Sequence, residues 1–230
     1  TRQLSRLGVE VHLGQEVTPE RVDEEEPDAV VVATGVDPLV PDIQGIRGEN
    51  VVGAWEVLAR EASVGRRVIV LGGGSVGCET AIYLARKGAI DDQTAVFLAT
   101  VGACDKDTAL ALTTRGKAVT IVEALPRIGG DFGKGNRWVF MQAIAALGIK
   151  TLTGVEVQEI TPQGMRIKKG EEQQFLEADT IVLAVGVRPN NRLYEQIKGR
   201  AGEVHLIGDA KTPRKTLDAI HEGFLSGCQL

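Results

Sequence analysis

The chain has 230 residues, 43% of them hydrophobic, and a formal net charge of −5 with acids and bases mixed along its length. That is ample apolar material for a large core in one domain or two. The charge balance and an aromatic content of 4% argue against a nucleic-acid partner, and no apolar run approaches the roughly 18 residues of a membrane span.

The opening stretch, TRQLSRLGVEVHLG, carries a helix-then-strand pattern and no signal-peptide features. It begins with Thr, which reads as a piece of something longer. Leu4 and Leu7 share a helix side, and Val9 to Leu13 alternates as a strand would, ending at Gly14. The acidic VTPERVDEEEPD is a solvated loop or short helix. DAVVVATG, 28–35, is a β-branched run ending in small residues, the mark of a parallel strand whose carboxyl end lets something approach. Pro38, Pro41 and Gly45 mark a loop, and a helical stretch surrounds Trp55.

VIVLGGGSVGCETAIYLARKG, 68–88, organises the chain. Four apolar residues predict a buried strand, and a helix-spaced run from Ser75 to Lys87 closes at Gly88. Gly72, Gly74 and Gly77 between them fit GxGxxG in its required setting. The first glycine permits the tight turn, the second lets backbone approach a pyrophosphate, and the third lets the helix pack on its strand. The helix N-terminus then offers N–H groups and partial positive charge to phosphates.

Residues 89–116 read as an insertion with their own turns and a short helix from about Asp107 to Arg115. A dinucleotide fold calls for an acid about 20 residues past the glycines, at the end of the second strand. Glu123, closing AVTIVE, is the better choice. The alternative makes AVFLA, 95–99, the strand and Asp105 the acid. A loop follows over 126–135, then a helix over 138–147 with Asn136 as its N-cap and Gly148 beyond its end. A short strand at 151–153 comes next. Period-two segments between 155 and 178, separated by Pro162, Gly164 and Gly170, form an antiparallel meander. TIVLAVG, 180–186, is another buried parallel strand, and EVHLIGD, 203–209, the last strand. The closing helix, 212–228, places Leu217, Ile220, Phe224 and Leu225 on its inner face. The fold class is α/β: a Rossmann-like parallel sheet with a small antiparallel β-meander. DAVVVATGVDP and DTIVLAVGVRP resemble each other and suggest two equivalent crossings between nested lobes.

Cys78, Cys104 and Cys228 form neither a disulfide framework nor a metal cluster and fit a reducing, cytoplasmic setting. Cys78, beside Gly77, is either a reactive thiol or, more simply, a small buried residue on a helix.

ATG at 33–35, GGGSVGCE at 72–79, VEALPRIG at 122–129, GVRPNN at 186–191 and IGDA at 207–210 occur in an order that resembles the two-dinucleotide-binding-domain flavoproteins. Within them the chain is similar to the C-terminal region of NADH:flavin oxidoreductases of the 2,4-dienoyl-CoA reductase, 2-enoate reductase and trimethylamine dehydrogenase type. The resemblance implies an NADH-binding domain over 50–186, nested in a partial FAD-binding domain formed by 1–49 and 187–230. It implies that Gly72, Gly74 and Gly77 line the NADH pyrophosphate and that Glu123 bonds the adenosine ribose. A carboxylate there favours NADH over NADPH, although Arg127 nearby could accommodate a 2′-phosphate.

Glu79 would sit near the nicotinamide end, its alternative being a first-turn acid that complements the helix dipole. Gly186 would mark the strand end over which NADH lies. Thr34, Gly35 and Asp209 would belong to the FAD side, with a turn or N-cap role as the alternative for Asp209. FMN, an iron–sulfur cluster and a barrel domain are expected only upstream, and a homo-oligomer is compatible with the pattern. The implied activity passes a hydride from NADH to FAD and feeds electrons to reduction of an enoate- or enoyl-CoA-like substrate. The rival readings are a flavin-dependent disulfide or ferredoxin reductase, and a non-catalytic NAD(H)-binding module. No acid–base catalytic residue and no metal ligand is assigned.

Overall fold

The computed structural model describes residues 2–113, 116–133 and 135–230. It divides into two compact units, one of residues 38–186 and one of 1–37 with 187–230.

The larger unit is built on a five-stranded parallel sheet in the order Val51–Gly53, Thr180–Leu183, Arg67–Leu71, Ala118–Glu123, Lys150–Thr153. Val68, Ile69, Val70 and Leu71 of the central strand are all buried, as expected of a parallel strand covered on both faces. Alternate residues serve different cores. Val68 and Val70 pack with Cys78, Ala81, Leu84, Val119, Ile121 and Ile144. Ile69 and Leu71 pack with Val122, Ile160, Met165, Ile167 and Ile181.

Helices therefore cover one face, and the antiparallel meander Glu156–Thr161, Gly164–Lys169, Glu172–Glu177 covers the other. Each such aliphatic side chain contributes about 1.5–3 kcal/mol on burial, and Ile121→Ala, at a fully buried position, would cost about 2–5 kcal/mol. Residues 38–49 fold with this unit: Ile43 and Ile46 join the second core, and the Gln44 amide donates to Glu159 at 3.2 Å. The larger compact unit thus begins at Pro38.

Helix Ser75–Arg86 starts from Gly74 in extended conformation and buries Gly77, Cys78, Ala81, Leu84 and Ala85. Small residues on that face let it lie close to the sheet. Gly88, at φ +97°, turns the chain out of it. The insertion that follows holds two helices, Asp92–Thr100 and Lys106–Thr113. Each has an aspartate at its start: Thr94 N–H donates to Asp91 and Thr108 N–H to Asp105, both at 2.7 Å. AVFLA is therefore helical and Asp105 is a helix cap, so the second strand is Ala118–Glu123. The end of the expected 107–115 helix lies outside the described residues.

The smaller unit pairs Ala29–Val32 with Glu203–Leu206 in parallel. Its small core joins Val22, Val32 and Ile197 with Val30, Leu193, Tyr194, Val204 and Leu206. Helix Pro19–Glu25 begins at Thr18, whose hydroxyl accepts the Arg21 N–H at 3.4 Å, with proline in the first turn.

Two expectations fail here. Residues 9–13 are not a strand; Val9, Val11 and Leu13 are all exposed, and no described strand pairs with them. An alternating pattern needs a neighbouring strand for its backbone groups. The closing helix starts at Thr216, beyond the 3₁₀ turn Gly208–Ala210 and Pro213. Leu217, Ile220, Phe224 and Leu225 share its apolar stripe as expected, but they are 58–69% exposed rather than buried. Amphipathic spacing identifies the stripe without supplying the surface that covers it.

Val36–Pro38 and Val187–Pro189 lie side by side. Leu39 N–H donates to Gly186 O and Asn190 N–H to Gly35 O, both at 3.0 Å, a reciprocal pattern for the two similar segments.

Candidate functional site

The site forms at the carboxyl end of the central strands. Gly72 has φ +108°, and a Cβ there would lie 2.2 Å from Ala184 O. Gly77 is bound by the same turn: its Cβ would lie 2.0 Å from Gly72 O. These two glycines are required by backbone geometry alone. At Gly74 the atoms nearest to a Cβ would be those of the Asp131 carboxylate, with Oδ2 3.3 Å away.

Glu123 ends the neighbouring strand with Leu71 and Val122 in register. Its Oε2 accepts the Gly73 N–H at 2.5 Å and its Oε1 the Leu125 N–H at 2.8 Å. The carboxylate is therefore fixed against the glycine turn, and each oxygen retains a lone pair for a hydroxyl. Glu79 stands exposed in the helix's first turns. Gly186, at φ +106°, ends the segment that starts at Ala184, whose N–H donates to Leu71 O at 2.8 Å. The structure thus brings Gly72, Gly74, Gly77 and Glu123 together, with the 184–186 segment alongside Gly72.

Sequence reasoning missed the loop that lies on this turn. Gly129 N–H donates to Gly73 O at 2.6 Å, and a Cβ on Gly73 would meet Ile128 at 2.5 Å. The Arg137 guanidinium holds the loop by donating to the carbonyls of Ile128 and Gly129 at 3.1 and 3.2 Å. Asp131 reaches the helix start: its Oδ1 and Oδ2 both lie 2.9 Å from the Ser75 N–H, and the Ser75 hydroxyl donates to Oδ2 at 2.7 Å. Desolvation pushes the Asp131 carboxyl up, but the Ser75 N–H and hydroxyl outweigh it and hold the group below its ordinary range. The signal available in the sequence was the acid in GGDFG, just after a strand-ending acid.

Cys78 is fully buried with its thiol 3.5 Å from Gly73 O. Burial, with Asp131 and Glu79 adding to it, pushes the thiol up to about 11. It is a packing residue rather than a nucleophile.

In the smaller unit, Thr34, Gly35 and Asp209 follow the carboxyl ends of adjacent parallel strands, the usual ligand edge of an open α/β sheet. The Thr34 hydroxyl donates to Asn190 O. Asp209 accepts the Arg214 N–H at 3.1 Å, so it already serves as a turn residue. Glu222 accepts the Gly208 N–H at 2.6 Å and pairs with Arg214. Arg214 and the Gly208 N–H keep the Glu222 carboxyl below its usual range.

The larger unit fits a dinucleotide. Its glycine turn presents the helix start to an anionic oxygen, a position that the Asp131 carboxylate occupies. Among the described residues no cluster suits a metal ion, and no helix is long and apolar enough to cross a membrane.

The family model described as "Pyridine nucleotide-disulphide oxidoreductase" matches residues 3–207, and the chain belongs to that family. A metal reductase of Desulforamulus reducens is 38% identical over 223 residues, 95% of this chain and 33% of the relative. An NADH oxidase of Thermoanaerobacter brockii is 38% identical over 234 residues, 99% of this chain and 32% of the relative. A solved 2-naphthoyl-CoA reductase complex superposes with a TM-score of 0.83 at 28% identity, covering 100% of this chain and 31% of that one. The chain spans about a third of the length of these relatives. NADH and FAD are the cofactors of this family, whose members are oxidoreductases.

Proposed function

We propose that this chain, as a member of the pyridine nucleotide-disulphide oxidoreductase family, is the NADH-binding part of an NADH:flavin oxidoreductase. The observation that carries the reading is the convergence of Gly72, Gly74, Gly77 and Glu123 on one helix start. The backbone from Gly72 to Ser75 would hold the pyrophosphate, and Glu123 would accept a hydroxyl of the adenosine ribose. Its charge would repel a 2′-phosphate, which favours NADH over NADPH. Glu79 and Gly186 would flank the nicotinamide end. Residues 50–186, with 38–49 folded onto them, form the NADH domain in this reading.

Thr34, Gly35 and Asp209 would contribute to a flavin site in a domain formed by 1–37 and 187–230. When bound, NADH supplies a hydride that FAD accepts. The protein's task is to bind and orient, so no side chain is given an acid–base role.

For the whole protein we propose the 2,4-dienoyl-CoA reductase, 2-enoate reductase or trimethylamine dehydrogenase type. Electrons would pass to an upstream barrel domain that carries FMN and an iron–sulfur cluster and reduces an enoate- or enoyl-CoA-like substrate. Similarity to a solved reductase of an aromatic acyl-CoA over the whole of this chain supports that choice. The test is an absorbance spectrum of the purified full-length protein before and after anaerobic NADH addition. A flavin band that NADH bleaches, with dye reduction, is expected. A colourless protein that oxidises no NADH refutes the enzyme reading and leaves a non-catalytic NAD(H)-binding module.

A further inference from the structure

The phosphate seat of the glycine turn is held by the protein's own carboxylate. Both Asp131 oxygens lie 2.9 Å from the Ser75 N–H, the Ser75 hydroxyl adds a 2.7 Å bond, and Oδ2 would lie 3.3 Å from a Cβ placed on Gly74. This is the place, at the positive end of helix Ser75–Arg86, where a pyrophosphate oxygen would accept. One N–H cannot serve a carboxylate and a phosphate together, and two anions in contact repel.

Asp131 does not rest there by chance of a loose loop. Gly129 is bonded to Gly73 at 2.6 Å, Ile128 packs over Gly73, and Arg137 grips the carbonyls of Ile128 and Gly129. The loop is thus pinned at its start, and Asp131, two residues beyond Gly129, is delivered to the seat.

We propose that Asp131 is a built-in competitor for the pyrophosphate, so that NADH entry requires the carboxylate to leave Ser75 and sets the coenzyme affinity by that cost. The proposal rests on the NADH-site reading above. Apparent affinity falls in proportion to the fraction of molecules with the seat open. An Asp131 that holds the seat nine times in ten weakens binding about tenfold.

The experiment is titration of wild-type protein, Asp131→Asn and Asp131→Ala with NADH and, separately, with inorganic pyrophosphate, alongside thermal melts. We expect the Kd for both to fall, by about tenfold in Asp131→Ala and less in Asp131→Asn, whose amide still accepts the N–H without charge. Should Asp131→Ala melt below the assay temperature, the isosteric Asp131→Asn decides. Wild-type binding of NADH with an unchanged or raised Kd in the folded variants overturns the proposal and leaves the site reading standing. No NADH binding by any of the three overturns the site reading, and the competitor role with it.

Discussion

The Glu123 carboxylate accepts the backbone N–H of Gly73 at 2.5 Å, tying the end of one strand to the turn that follows its neighbour. The acid expected to contact a ribose is therefore also a structural clasp. Glu123→Ala should weaken NADH binding and relax discrimination against NADPH, because it removes both the hydroxyl acceptor and the charge. Glu123→Gln keeps an acceptor for Gly73 and separates the two roles. We expect Gln to retain more thermal stability than Ala while losing a similar part of the NADH preference. Coenzyme titrations and melts of both variants check this. An unchanged NADH-to-NADPH ratio in both would remove Glu123 from recognition.

The glycine turn gives a sharper steric prediction. Gly77→Ala puts a Cβ 2.0 Å from Gly72 O, a backbone atom that cannot swing aside. The helix must move off the strand, at a cost of about 1–3 kcal/mol and occasionally more. Gly74→Ala meets a carboxylate first, at 3.3 Å, and should fold nearly as wild type. Both should lower NADH affinity, Gly74→Ala with little loss of stability. Equal melting temperatures for Gly77→Ala and wild type would contradict the packing.

That turn was legible in the sequence because its chemistry is local. Strand, three glycines and helix follow one another without a gap, and backbone geometry demands glycine at 72 and 77. The meander was legible for the same reason: period two broken by Pro162, Gly164 and Gly170. AVFLA was ambiguous, since five apolar residues suit a buried strand or a helix. Asp91, as the cap of Asp92–Thr100, decides for the helix. Asp131 is visible in the sequence only as a loop acid in GGDFG; its partner Ser75 is brought to it by folding. The exposed stripe of the closing helix shows the opposite failure, a pattern read correctly whose covering surface no pattern specifies.

Cys78 offers a test of burial at the site. With its thiol raised to about 11 and no exposed surface, it should alkylate far more slowly at pH 8 than exposed Cys228. Ionisation alone makes the difference on the order of a hundredfold relative to an ordinary thiol. Iodoacetamide labelling followed by peptide mass spectrometry reads it. Comparable rates at the two positions would mean that the helix does not protect Cys78.

At the far end of the central strand, Asp179 accepts the N–H groups of Arg66 and Arg67 at 3.0 and 2.8 Å and two guanidinium bonds from Arg67. The backbone N–H and then the guanidinium of Arg67 hold its carboxyl below the ordinary range. A depressed carboxylate stabilises the fold above its unfolded pKa of about 3.9, and that contribution fades as pH falls through the folded value. Asp179→Asn should therefore melt below wild type at neutral pH, and the gap should close as the solution is taken well below about pH 4. The pair is partly solvent-exposed, so salt should narrow the gap as well. Because Asp179 lies away from the glycine turn, NADH affinity of the folded variant should not change. Melting curves across pH, with one coenzyme titration, check all three outcomes. A gap that persists undiminished at low pH would assign the effect to the Asn NH2, which cannot accept the N–H groups that one Asp179 oxygen takes from Arg66 and Arg67, rather than to charge.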